Sequence, residues 1–167
     1  MNYDEARDAL LLERLGAPLA SRQLPWREEL EVLVETLQTA WVPAPLLNTL
    51  PTAAAKADWL RTFIETTYTE LDEPCDRRII THVLAYAEER GDALDPSHCV
   101  LAHADPHSHN ALADPGAPSG YRFIDPDGLF AEPAYDPGVL LREGNADFLS
   151  GDPLPDGRKL CEQLAAT

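Results

Sequence analysis

The chain has 167 residues and a mass of 18.4 kDa, with 44% apolar residues, 25% charged residues and three Trp. That is enough apolar material for one cored domain and too much for a disordered tail. Acidic residues outnumber basic ones 29 to 13, for a formal charge of −16. A nucleic-acid backbone repels such a chain, whereas small cations or cationic ligands suit it. No run of the sequence reaches the roughly 18 apolar residues of a membrane span. The start, MNYDEARDALLLERLG, is acidic ahead of its short apolar run, the wrong polarity for a secretory signal. Cys75, Cys99 and Cys161 are odd in number, widely spaced and form no CxxC, which indicates neither a disulfide framework nor a zinc ribbon. The expectation is a soluble cytoplasmic protein with no nucleic-acid and no membrane partner.

Along the chain, Ala9 to Leu15 is a short apolar segment stopped by Gly16 and Pro18, too short for periodicity to separate strand from helix. Pro25 then opens a helix that carries Leu30, Leu33, Val34, Leu37 and Trp41 on one face, and Pro43 and Pro45 stop it. Pro43 to Pro51 reads as a connector. Ala57, Leu60, Ile64 and Tyr68 mark a second amphipathic helix from about Ala53 to Leu71. Asp72 and Pro74 read as cap and first turn of a third, with Ile79, Ile80, Val83, Leu84 and Ala87, ending at Gly91. The character changes at residue 98. His98 to Ala102 and Asn110 to Ala113 read as short strands flanking a polar run, and Asp114 to Gly120 as a turn. Tyr121 to Ile124 alternates as a strand that delivers Asp125 at its end. A Pro/Gly-rich stretch follows over 126–138, then a helix from Val139 to Leu149. The predicted class is α+β, mainly helical.

Chemistry concentrates in the second half. Four of the five His lie between 98 and 109, and from Asp105 to Asp136 there are six acids against a single base, Arg122. A strand–turn–strand joins Asn110 to Asp125, so a hairpin would gather Asp105, Asn110 and Asp125. Two carboxylates and a carboxamide are hard oxygen ligands, suited to Mg²⁺ and poor for Zn²⁺. A carboxylate beside a metal-bound phosphate can also accept a proton from an attacking hydroxyl.

His103-Ala-Asp-Pro-His-Ser-His-Asn110, then Phe123-Ile-Asp-Pro-Asp-Gly-Leu129, then Glu132-Pro-Ala-Tyr-Asp136, resembles the core of the aminoglycoside/hydroxyurea (streptomycin-type) antibiotic-resistance kinases. Their pattern runs roughly H-G-D-x-H-x-x-N … (I/V)-D-P-(D/K)-G … (D/E)-P-A-(Y/F)-D, and the three motifs here stand in that order. The resemblance implies the C-terminal lobe of a protein-kinase-like fold. Residues 1–16 would be the last strand and hinge of a nucleotide lobe that is largely absent, and 17–167 the catalytic lobe, with a catalytic loop at 103–110 and a metal segment at 123–129. It implies an ATP- and Mg²⁺-dependent transfer of phosphate to a hydroxyl of a small molecule, such as a cationic aminoglycoside. Asp105 would be the catalytic aspartate, Asn110 and Asp125 the metal ligands, and Glu13 and Arg14 the hinge residues at the adenine. His103, His107 and Asp136 would support the catalytic loop.

Two departures from the family stand out. Ala104 replaces the usual Gly, which matters if that position needs a positive φ. No glycine-rich loop precedes residue 98 and no Lys precedes Lys56, so the phosphate cradle would come from a separately encoded lobe or be lost. The chain alone is then expected to bind nucleotide weakly, to have negligible kinase activity and to self-associate through Leu10 to Leu12. Two other readings compete with the kinase. One is a non-catalytic, partner-binding remnant. The other is a zinc hydrolase built on His103-x-Asp-x-His-x-His109, in which Pro106 interrupts the strand that would align the ligands. Trp26, Trp41 and Trp59 read as core residues, His109 as a surface residue, and Asp127 as turn chemistry with Gly128.

Overall fold

The computed structural model describes residues 2–43, 50–144 and 151–165. Among the described residues the strands are β1 (Asn2–Asp4), β2 (Ala9–Leu11), β3 (Val42–Pro43), β4 (Val100–Ala102), β5 (Ala111–Ala113), β6 (Tyr121–Phe123) and β7 (Leu129–Ala131). Among the described residues the α-helices are α1 (Trp26–Ala40), α2 (Ala53–Glu70), α3 (Arg77–Asp92), α4 (Tyr135–Leu141) and α5 (Pro153–Ala165). The class is α+β, with three small antiparallel sheets. Among the described residues no helix is long and apolar enough to cross a membrane. The chain divides into two compact units, residues 1–40 with 106–125, and 41–105 with 126–167.

In the first unit, β1 and β2 form a hairpin in the register Asn2↔Leu11 to Asp4↔Ala9, so the first apolar segment is strand over Ala9–Leu11 and irregular from there to Leu15. β5 and β6 pair as a second hairpin, Ala111↔Phe123 to Ala113↔Tyr121, closed by the predicted turn. The segment after β2 lies along β5: Gly16 N–H donates to the Ala113 carbonyl at 2.8 Å, and Ala113 N–H to the Ala17 carbonyl at 2.9 Å. A Cβ on residue 16 would stand 2.9 Å from the Ala113 Cβ, so this close approach needs glycine. α1 buries Leu30, Leu33, Val34 and Leu37, four of the five residues of the predicted stripe, and packs against β6; the fifth, Trp41, lies past its end at Ala40. Thr36, also buried, sets its hydroxyl oxygen 2.9 Å from that of Ser119 and so joins α1 to the β5–β6 turn.

The second unit is built on the sheet β3–β4–β7, with Val100↔Ala131 to Ala102↔Leu129 at its centre. β7 lies inside the stretch read as Pro/Gly-rich connector. Its three residues, Leu129, Phe130 and Ala131, are all buried, and they sit between turn residues that hide so short a strand from composition. α2 and α3 form an antiparallel pair beside this sheet. Thr52 caps α2, its hydroxyl accepting from Ala55 N–H at 3.1 Å. The cap of α3 is Asp76, which accepts from Arg78 N–H at 2.9 Å, and not the expected Asp72. Asp72 and Glu73 instead finish α2: both take positive φ, and Glu73 N–H reaches back to the Tyr68 carbonyl at 2.9 Å. The helix expected over Val139 to Leu149 starts earlier, at Tyr135, and its part at 145–149 lies outside the described residues. α5 was not expected, because Pro153, Pro155 and Gly157 give its first turns a loop-like composition.

Candidate functional site

The sequence-predicted residues fall into two groups, one in each unit. In the second unit, β4 runs straight into His103, Ala104 and Asp105. Asp136, in the first turn of α4, is 0% exposed and holds this segment from beneath. One carboxylate oxygen accepts His103 N–H at 2.9 Å and Trp41 Nε1–H at 2.9 Å, and the other accepts Ala104 N–H at 2.8 Å. The clamp coincides with a left-handed backbone at Ala104, φ 70°, the conformation in which a glycine costs least. Asp105 N–H then donates to His103 Nδ1 at 3.3 Å, and the His103 carbonyl accepts Gly128 N–H at 3.2 Å.

The Asp105 side chain is 39% exposed, and its Oδ1 lies 3.9 Å from an Arg142 guanidinium nitrogen, a charge contact beyond hydrogen-bond length. Tyr135 packs against Ala102, Leu129 and Ala131, and burial, with Asp136 beside it, pushes its phenol above the usual tyrosine range.

In the first unit, Pro106 is fully buried and His107 half-buried, with the His109 ring edge-on at 5.9 Å. Asn110 N–H donates to the His107 carbonyl at 2.9 Å, closing the turn into β5. The Asn110 carbonyl accepts Ile124 N–H at 2.9 Å, so Asn110 and Asp125 share one end of the β5–β6 ladder. Asp125 is exposed and, like Ala104, has a positive φ, 58°. Glu13 and Arg14 are exposed in the segment after β2, where Glu13 meets Arg122 at 3.9 Å. Arg122 is committed chiefly to Asp114, at 2.7 and 2.9 Å. The Gly116 N–H and then the Arg122 guanidinium hold the Asp114 carboxyl below the usual carboxylate range.

Asn110 and Asp125 are thus brought together, and so are His103, Asp105 and Asp136. Two participants were not legible in the sequence. Trp41, read as core, donates to Asp136. Arg142, beside Asp105, stands in no motif. Among the described residues no group of three or more His, Cys, Asp or Glu side chains converges to hold a metal ion. The Asn110 carboxamide and the Asp125 carboxylate are hard oxygen donors in a partly exposed place. That suits Mg²⁺, which takes few protein ligands and keeps several waters. No family model, curated protein or solved structure matches the chain.

Proposed function

We propose that the chain is the catalytic part of an ATP- and Mg²⁺-dependent phosphotransferase that acts on a hydroxyl group of a small molecule, as the aminoglycoside/hydroxyurea kinases do. The observation that carries this reading is the backbone at Ala104. The kinase pattern has Gly at this place, and here the residue takes a positive φ with its N–H on Asp136, the last position of the same pattern. A resemblance of residue types alone would not require that conformation.

Asp105, held by the clamped loop, orients the acceptor hydroxyl and takes its proton. Asn110 and Asp125 hold the metal, which when bound offsets phosphate charge. The segment at Glu13 and Arg14 offers backbone groups to adenine. His103, His107 and Asp136 keep the loop in place, and a separately encoded lobe would complete the phosphate cradle.

The test uses Mn²⁺ as a paramagnetic stand-in for Mg²⁺ on the isotope-labelled chain. Broadening should centre on the amides around Asn110 and Asp125, compete with Mg²⁺, strengthen with ATP and vanish in Asp125→Ala. Broadening spread over the acidic surface, unchanged in that variant, sinks the metal assignment. In an active assembly Asp105→Asn should cut turnover by about 10² with nucleotide affinity nearly unchanged. Equal loss of both would make Asp105 a ligand or a structural residue.

A second reading, a partner-binding lobe without catalysis, rests on the β1–β2 hairpin. There Leu10, Leu11 and Leu12 are 55%, 72% and 53% exposed, a contiguous apolar stretch of the kind that marks association. Concentration-dependent sedimentation that Leu11→Lys abolishes, together with no Mn²⁺ response at Asn110, would favour it.

A further inference from the structure

The apolar stripes of α2 and α3 do not close into a packed core. They line a cleft of about 690 Å³ whose far wall is β7 and α4. Leu60 and Ile64 from α2, Val83 and Ala87 from α3, and Val139 from α4 face it, and the described part of α3 has no buried residue. All of these residues belong to the second unit. The volume lies within the roughly 300–1,000 Å³ of small-molecule sites, and the mostly apolar wall with few polar groups is their usual lining. A concave cleft walled by three elements suits a compact molecule better than the flat face of another protein.

The charged groups at the cleft say what that molecule carries. In a chain of net charge −16, the cleft is lined by three cations, Lys56, Arg90 and Arg142, against one carboxylate, Glu132. Arg90 and Glu132 are paired with each other. Lys56 makes no ion pair among the described residues; its ammonium sits 4.4 Å from the centre of the exposed Trp59 ring, stacked in turn on Phe63. We propose that this cleft binds a small amphiphilic anion, an apolar or aromatic body bearing one carboxylate or sulfonate, with the body between α2, α3 and α4 and the head at Lys56. The site stands whether or not the chain is a phosphotransferase. Its preference is opposite in sign to the one the overall charge suggests.

Two fluorescent probes with the same body separate the parts of this claim: 1-anilinonaphthalene-8-sulfonate and the neutral N-phenyl-1-naphthylamine. The anion should bind at one site about tenfold tighter than the neutral probe, the size of one charge-assisted contact. Lys56→Gln should remove that preference and leave the neutral probe's affinity unchanged. Ala87→Phe, which fills the cleft, should weaken both. Octanoate should displace the anionic probe and octylamine should not. Equal affinity of the two probes, or an anion preference that survives Lys56→Gln, overturns the proposal. Should Ala87→Phe fail to fold by circular dichroism, chemical-shift mapping of octanoate on the unaltered chain decides. Shifts confined to residues 56–64, 83–94 and 131–142 support the site, and shifts centred on the β1–β2 hairpin refute it.

Discussion

Replacing Asp136 by Ala removes an acceptor that three donors share. His103 N–H, Ala104 N–H and Trp41 Nε1–H all end on this fully buried carboxylate at 2.8–2.9 Å. Each buried donor left without a partner costs about 1–3 kcal/mol. The variant also escapes the desolvation of a buried carboxylate, so the three costs do not simply add. A net loss of about 3–5 kcal/mol is expected, below the plain sum of three such costs because no unpaired charge is left behind. With a urea slope of about 2 kcal/mol/M for a chain of this size, the midpoint should fall by roughly 2 M. Circular dichroism at 222 nm is the right probe, since Trp41 is itself a partner and its fluorescence would change for local reasons. Asp136→Asn keeps one acceptor oxygen and turns an amide N–H towards a donor, so it should fall between. Asp127→Ala, an exposed control, should stay within about 0.5 kcal/mol. Amide exchange gives the local readout: His103 and Ala104 should lose protection in Asp136→Ala before the sheet does. A midpoint drop under about 0.5 M with an unchanged slope would refute the clamp.

Ala104→Gly should be neutral or stabilise by up to about 1 kcal/mol in the same unfolding assay, because relief of a left-handed alanine offsets the added chain entropy. Ala104→Val should destabilise, and a Gly variant losing more than about 1 kcal/mol would mean that the φ is not strained. Asp114 has a folded-state pKa below its unfolded value, so it contributes stability above the unfolded pKa of about 3.9 that is lost as pH falls through the folded pKa. Urea midpoints compared between pH 5 and pH 3 should therefore drop less in Asp114→Asn than in the unaltered chain, and an identical drop would remove Asp114 as a source. Cys99 is buried and its thiol is pushed up, first by burial and then by Glu132 and Asp95, whereas Cys75 and Cys161 are exposed. A thiol reagent at pH 8 should titrate two cysteines quickly and the third only on unfolding; three equal rates would refute the burial of Cys99.

The longer helices were legible because burial imposes a period. Leu30, Leu33, Val34 and Leu37 recur at helical spacing and are the residues that α1 buries. Short strands carry no such redundancy. β7 has three residues, all facing protein, so alternation is absent and the flanking Asp-Pro-Asp-Gly and Glu-Pro dominate its composition. The Asp72–Asp76 ambiguity has the same origin. Both are cap-competent acids ahead of one apolar run, and only the positive φ values at Asp72 and Glu73 assign the first of them to the end of α2. At the candidate site, motif order drew attention to His103, Asp105 and Asp136. The pattern names residue types and not contacts, so the Trp41 and Arg142 partners, 95 residues and 37 residues away in sequence from Asp136 and Asp105, left no local mark.

The cleft shows where periodicity stops being informative. Leu60 and Ile64 on α2, and Val83 and Ala87 on α3, read as apolar faces of amphipathic helices, and their spacing does put each pair on one side of its helix. The hydrophobic effect that selects such a stripe has no direction of its own: it rewards removal from water and does not specify the covering group. A helix stripe sealed by a sheet and one left for an apolar ligand therefore have the same sequence signature. What separates them here is Lys56, one turn before Leu60 on the same face, where a sealed core would need an apolar residue or a paired charge. A lone cation at the edge of an apolar stripe is thus the sequence signal to weigh, since its desolvation is tolerable only if the cleft stays open or an anion comes to it.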